Sequence, residues 1–238
     1  MKNKNVIIWC CIGLSFILSV ISIVLVFLFS DNTKSATDIY NERIYNVVEV
    51  KAQSEDVGES FGTGEIISSD GKIVTNAHVV TYTRLGVTNE FENYYIRFSF
   101  ENDYRAVMLE KYDSDLDIAI LHLIDSSDLS LKPIALGDSN ALKSGEKVYA
   151  IGNASNYGIG IFEGIISIPL ITVELDGLKR NVIQCDITIA AGNSGGALLD
   201  EKGKLIGITT FRTKDNSGNV IYGIVYCIPI NIVLEFIN

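Results

Sequence analysis

Hydrophobic positions along the 238 residues follow two patterns. From Val6 to Phe29 apolar residues run on without a single charge. At about 1.5 Å per helical residue such a run can cross a hydrocarbon core of roughly 30 Å. After a polar stretch that reads as a tether, Ser30 to Asn41, the pattern breaks into short apolar or alternating segments. These are separated by Gly, Asn, Asp and Ser, which marks strands joined by turns. Val47–Ala52, Gly64–Thr75, Tyr95–Phe100, Ala106–Tyr112 and Asp117–Ile124 form a first group. Lys147–Ile151, Gly160–Pro169, Asn181–Ile187, Lys204–Phe211 and Val220–Ile228 form a second. Asp70-Gly71 predicts a hairpin inside the first group. Thr81 to Tyr95 reads as a long polar insertion, and only Asn231–Ile237 reads as a helix.

Many short strands without intervening helices predict an all-β fold, here a pair of Greek-key β-barrels with a short C-terminal helix, preceded by one N-terminal transmembrane helix. The polar loop Asp125–Pro133 separates the barrels. The expected organisation is a tail at 1–5, a membrane span at 6–29, a linker at 30–44 and a folded domain at 45–238. Within that domain barrel one covers 45–124 and barrel two 134–229.

Charge adds an orientation. Lys2 and Lys4 precede the apolar run and Asp31 follows it, so the positive-inside tendency leaves the N-terminus in the cytoplasm and the folded domain outside. No A-x-A-like site follows Phe29, which favours a retained anchor over a cleaved signal peptide. A net charge of −10 without any cationic block argues against nucleic acid as a partner. Of four cysteines, Cys10 and Cys11 lie in the apolar run, and Cys185 and Cys227 are left as either a disulfide or two buried thiols. Two separated histidines and scattered cysteines lack ligand spacing, so neither a metal nor a cofactor is expected.

Gly192-Asn193-Ser194-Gly195-Gly196 carries the chemistry. A serine hydroxyl attacks a carbonyl only if a base removes its proton and donors receive the oxyanion. Flanking glycines allow successive amides to aim at one point, which assigns the oxyanion hole to the N–H groups of Gly192 and Ser194. The base requires a pKa near neutrality, and only His78 and His122 are available. His122 lies within the strand Ile118–Ile124, whereas His78 follows a strand and precedes a polar loop, where an imidazole can face a cleft. A buried carboxylate must orient that imidazole. Asp117 and Asp115 compete for this place. Asp117 directly precedes the apolar strand and is expected to point inward, while Asp115 and Asp113 read as solvated turn carboxylates.

Three segments, Thr75-Asn-Ala-His-Val-Val80, Asp115-Leu-Asp-Ile-Ala-Ile-Leu121 and Gly192-Asn-Ser-Gly-Gly-Ala-Leu198, resemble the signature segments of the HtrA/Deg family of trypsin-like serine proteases. The order His, Asp, Ser is that of the chymotrypsin arrangement. Gly62–Thr75, Ala150–Asn153, Ile183–Asp186, Leu205–Ile208 and Ile228–Asn231 extend the resemblance over roughly Val47 to Asn231. Ile187-Thr-Ile-Ala-Ala191 departs from it, lacking the Asn-Pro or Asn-Arg pair often found before the serine.

The resemblance implies two six-stranded barrels and a serine endopeptidase working through His78, Asp117 and Ser194. It places the substrate pocket at Thr188, Thr209, Thr210 and Phe211, with Gly223 to Val225 opposite. Without a carboxylate at these positions the pocket should prefer small or medium apolar side chains. Polypeptides are the implied substrates, in quality control or processing at the outer face of the cell membrane. Assembly as a homo-oligomer, often a trimer in the family, stays open. The chain stops at Asn238, so the PDZ domain common among relatives is expected to be lacking. A catalytically silent binding protein of the same fold is the alternative, normally marked by a broken triad, whereas all three residues are present here. An acyl hydrolase of another class is disfavoured by the residue order and the absence of G-x-S-x-G.

Overall fold

The computed structural model describes residues 12–24, 33–175, 177–214 and 220–238. It divides into two compact units, Met1–Thr33 and Lys34–Asn238. In the first, residues 12–24 form a helix, α1, whose apolar side chains are exposed. Its serines turn their hydroxyls back onto the helix: Ser15, Ser19 and Ser22 donate to the carbonyls of Ile12, Ser15 and Leu18. Residues 6–11 and 25–29 of the expected span lie outside the described residues. Among those described, no helix is long and apolar enough to cross a membrane.

The second unit opens with a helix where a tether was expected. Helix α2, Ala36–Arg43, is started by a capping box in which the Ser35 hydroxyl accepts from the Asp38 N–H and the Asp38 carboxylate accepts from the Ser35 N–H. Its fully buried Ile39 packs into the core, and Arg43 Nε donates to the carbonyl of Gly203 at 2.7 Å. The helix has almost no amphipathic stripe, so the signal was its cap, not its period.

Two closed six-stranded antiparallel barrels follow, as the strand pattern predicted. Barrel one has the order β1-β2-β3-β8-β7-β6, from Val47–Ser54, Gly58–Ile66, Lys72–Thr75, Ile118–Leu123, Arg105–Asp113 and Asn93–Phe98. Barrel two has the order β10-β11-β14-β13-β12-β9, from Gly160–Leu175, Leu178–Asp186, Val220–Pro229, Leu205–Lys214, Ala197–Asp200 and Lys147–Gly152. The turn between β2 and β3 falls at Asp70-Gly71 as expected. The supposed polar insertion is instead a hairpin, β4 (Thr81–Arg84) against β5 (Val87–Glu90), set apart from both barrels. Its strands went unseen because they are short and five of their eight residues are exposed, which leaves no apolar alternation to read.

Alternation divides the side chains of barrel one. Val48, Val50, Ile66, Ile73, Ile96 and Leu121 fill its interior. Val47, Val74, Ile118 and Ile120 point the other way, into a cluster shared with Tyr149, Ile151, Leu199 and Ile208 of barrel two. Glu65 stands in register between Val47 and Val74 and is fully buried on that same face. Neither of its carboxylate oxygens has a hydrogen-bond partner, and burial raises its pKa well above the usual range. The C-terminal helix, Ile230–Ile237 (α4, after the one-turn α3 at Ala77–Val80), follows barrel two and is tied to barrel one. Lys111 of β7 donates to the carbonyls of Phe236 and Ile237, at 2.7 and 3.2 Å, satisfying orphan acceptors at the helix end. Cys185 and Cys227 are free and buried inside barrel two, and a hydrogen bond with the Cys185 thiol, together with burial, pushes the Cys227 thiol up.

Candidate active site

The end of β3 delivers His78 and the start of β8 delivers Asp117. The strands are neighbours, Thr75 pairing with Ala119, so residues just beyond their ends meet above the barrel. His78 sits in α3, with its imidazole open to solvent on one side (43% exposed), against a carboxylate that is 3% exposed. His78 Nδ1 lies 2.9 Å from Asp117 Oδ2 and 3.0 Å from Oδ1, and the His78 backbone N–H donates to Oδ1 at 3.0 Å. The Thr210 hydroxyl donates to Oδ2 at 2.5 Å. An Nδ1–H directed at the carboxylate leaves Nε2 as the acceptor of the neutral ring, the arrangement a general base needs.

Asp117 adopts a φ of 59°, a left-handed conformation that costs energy for any residue other than glycine. Two side chains hold it there. Asn76 Nδ2 donates to the Asp117 carbonyl at 2.9 Å. Arg180, from β11, reaches across to donate to the carbonyls of Asp115 at 2.7 Å and Ser114 at 3.0 Å. The Arg180 guanidinium also lies 5.0 Å from the Phe211 ring centroid, and Phe211 packs against His78 with centroids 5.7 Å apart. The rival aspartates do other work. Asp113 Oδ1 accepts from the N–H groups of Asp115 and Leu116, and Asp115 itself is exposed. His122 takes no part either, its Nε2 standing 3.1 Å from the Asp70 carbonyl.

Ser194 stands on the loop between β11 and β12, and its hydroxyl donates to the Thr210 carbonyl at 3.4 Å. It is not hydrogen-bonded to His78 in this structure. Thr210 thus joins the parts, its hydroxyl on Asp117 and its carbonyl on Ser194. The serine loop is pressed onto barrel one by glycines. At Gly195, with φ of 82°, a Cβ would come within 2.1 Å of the Thr63 carbonyl, so no larger residue fits. Among the described residues the N–H groups of Gly192 and Ser194 donate to no acceptor. Both amides are thereby left available as donors, as an oxyanion hole requires.

The expected pocket residues separate. Thr188 lines a shallow recess of about 20 Å³ together with Ile187, Ile189, Ile221, Tyr222, Gly223 and Val225. Thr209 is fully buried, with its hydroxyl on the carbonyls of Asn193 and Gly196, and Thr210 and Phe211 lie against Asp117 and His78. The exposed Asp186 approaches the recess without lining it: a Cβ at Gly223 would meet its Oδ1 at 3.1 Å. Sequence reasoning missed Thr63, Asn76 and Arg180. Asn76 had a signal, being two residues before His78. Arg180 had none, since only the fold brings it beneath the Asp113–Asp117 turn.

The model for the trypsin-like peptidase domain matches residues 62–208, which include His78, Asp117 and Ser194. The chain belongs to the trypsin-like peptidase family, and its domain is HtrA/Deg-like. Its relatives include the Buchnera aphidicola (Acyrthosiphon pisum) protein described as a probable serine protease do-like, 38% identical over 192 residues, or 77% of this chain and 37% of that one. The periplasmic pH-dependent serine endoprotease DegQ of Escherichia coli is 36% identical over 175 residues, 73% of this chain and 35% of its own. The solved structure of the HtrA-type protease AlgW with a tripeptide superimposes with a TM-score of 0.71 at 29% identity, covering 86% of this chain and 62% of AlgW. This HtrA-like chain therefore spans little more than a third of the length of the curated relatives it matches.

Proposed function

We propose that the chain is a serine endopeptidase in which Ser194 is the nucleophile, His78 the general base and Asp117 the group that orients it. The observation that carries this reading is the Asp117 carboxylate. It is almost fully buried, yet receives His78 Nδ1, the His78 N–H and the Thr210 hydroxyl, which fixes the ring with Nε2 free. Nε2 takes the Ser194 proton as Oγ attacks a peptide carbonyl, the amides of Gly192 and Ser194 receive the oxyanion, and the imidazolium protonates the departing amine. Water repeats the cycle to free the acyl group. Catalytic hydrogen bonds between nucleophile and base often tighten only when substrate binds, so the Ser194–His78 bond is expected to form in the complex.

Polypeptides are the proposed substrates, in protein quality control or in processing. The shallow apolar recess at Thr188 and Val225 suits small to medium apolar side chains before the cleaved bond. The proposed location is the outer face of the cell membrane, with residues 6–29 as a signal anchor. Supporting it, the serines of α1 satisfy their hydroxyls on the helix backbone, as a hydrocarbon environment requires. A groove lined by Glu42, Arg43 and Lys132 as well as Tyr45, Phe100 and Leu131 is where a homo-oligomer would be sought. One observation favours the alternative of a silent binding protein, namely that the Ser194 hydroxyl turns to Thr210 and not to His78.

Hydrolysis of casein by the full chain and its Ser194→Ala counterpart decides between them. The endopeptidase reading expects turnover to fall about a million-fold in the variant. Equal rates, or none in either protein, would end it.

A further inference from the structure

Thr63 is a polar residue of barrel one bonded to the serine loop at both Gly192 and Ser194, and nothing in the triad chemistry requires it. It lies on β2 between two glycines and is fully buried. All its polar groups are used. Its N–H donates to the Ser194 carbonyl at 2.8 Å, and its carbonyl accepts the Thr75 hydroxyl at 2.7 Å. Its own hydroxyl donates to the Gly192 carbonyl at 2.7 Å and accepts the Asn153 N–H at 3.0 Å. One hydroxyl therefore ties together barrel one, the serine loop and the loop after β9.

Hydrogen bonds on the two carbonyls that flank the Gly192 amide limit its direction. A trans peptide points its N–H opposite its carbonyl. The Ala191 carbonyl accepts from the Ser155 N–H at 2.6 Å, so the Gly192 N–H faces away from the Asn153–Tyr157 segment and stays unpaired. Gly192 has a φ of 92°, and a Cβ there would meet the Asn153 carbonyl at 2.2 Å, so only glycine fits. Glycine lacks the sterics that would hold its own dihedrals. What keeps the Gly192 amide aimed is the pair of hydrogen bonds on the carbonyls either side of it, from Ser155 before and Thr63 after.

On the reading that this chain is a serine endopeptidase, the geometry points to Thr63 as the positioning residue of the oxyanion hole. Its hydroxyl holds the Gly192–Asn193 peptide while the Ser155 N–H holds the preceding Ala191–Gly192 peptide, so that Gly192 cannot rotate its N–H away from the developing oxyanion. Thr63 touches neither substrate nor reacting atoms and acts through Gly192. Removing the hydroxyl frees the Gly192 carbonyl to seek another donor by rotation, and it leaves the Asn153 N–H without an acceptor.

The test compares wild type, Thr63→Val, Thr63→Ser and Ser194→Ala as full chains with a chromogenic peptide ester and a peptide boronate, whose tetrahedral adduct places an oxygen on the hole. Thr63→Val keeps the shape and loses the hydroxyl. It is expected to lower kcat about 100-fold, the cost of losing one oxyanion donor, with KM changed less than about threefold. Boronate affinity should fall in proportion to kcat, and the pH midpoint of kcat/KM should stay in place because His78 and Asp117 are untouched. Thr63→Ser, which restores the hydroxyl, should recover kcat to within about fivefold. A folded Thr63→Val with near wild-type kcat would overturn the inference while leaving the endopeptidase reading intact. If Thr63→Val fails to fold, Thr63→Ser still decides: a loss as deep as about 100-fold there would show that the methyl, not the hydroxyl, matters. A wild type no faster than Ser194→Ala would instead remove the endopeptidase reading, and this inference with it.

Discussion

The two sides of the cleft are built differently. On barrel one, His78 and Asp117 sit at the ends of paired strands, and the carboxylate is held by donors that fix its side chain and its strained backbone alike. On barrel two, Ser194 stands on a loop without a strand of its own. That loop is held from outside, by the hydroxyls of Thr63 and Thr209 and the amide of Ser155, all on loop carbonyls. The acid–base pair is thus placed by the register of paired strands and then fixed by side-chain donors, whereas the nucleophile and its oxyanion amides depend wholly on hydrogen bonds that neighbouring segments make to their loop. Perturbing the first side should damage proton transfer alone, and perturbing the second should change transition-state binding.

The sharpest break of that contrast is Asp117→Asn. The amide can keep the contacts yet favours the wrong imidazole tautomer, and kcat is expected to fall about 10⁴-fold with the fold retained. Steady-state kinetics with a circular-dichroism control would measure it, and a loss of less than tenfold would show that the carboxylate is not what orients His78. On the barrel-two side, cleavage sites mapped by mass spectrometry should show small to medium apolar residues before the scissile bond. Their advantage over Lys or Arg should be at least about tenfold. A basic preference would mean that Asp186 reaches the bound side chain.

The smallest effect concerns the contact between the barrels. Glu65 is buried there without a partner, and its raised pKa makes the folded state hold a proton that the unfolded chain gives up in the ordinary carboxylate range. Stability relative to a neutral residue is therefore fullest below about pH 4.5 and declines as pH rises toward the folded-state pKa. Glu65→Gln should remove that decline. The gain in Tm over wild type should grow between acid and pH 8, reaching about 2 °C or more. A constant difference across pH would mean that the Glu65 pKa is unchanged by folding and that burial does not hold the proton on it.

Much of this contrast could be read from the chain. His78, Asp117 and Ser194 stand in compact motifs, and apolar alternation revealed ten strand regions because each buries one face. Ala197–Asp200 escaped, being only four residues behind the glycines of the serine loop. The hairpin Thr81–Glu90 escaped because its strands are short and mostly exposed, and α2 because its evidence is the cap Ser35/Asp38. The supports of the site were least legible. Thr63 is 131 positions from Ser194, and Arg180 is 65 positions from Asp115, so local patterns carry no trace of either contact. Thr210 had been placed in the substrate pocket, and its bond to Asp117 depends on how β13 lies against barrel one.

The central claim is that side chains from both barrels work as one unit, with His78 activating Ser194. Labelling of the full chain by a fluorophosphonate, read by peptide mapping, tests it most directly. The account predicts a single adduct on Ser194 in the wild type and a rate at least about 10³-fold lower in His78→Ala. An unlabelled wild type, or equal labelling of both proteins, would contradict it.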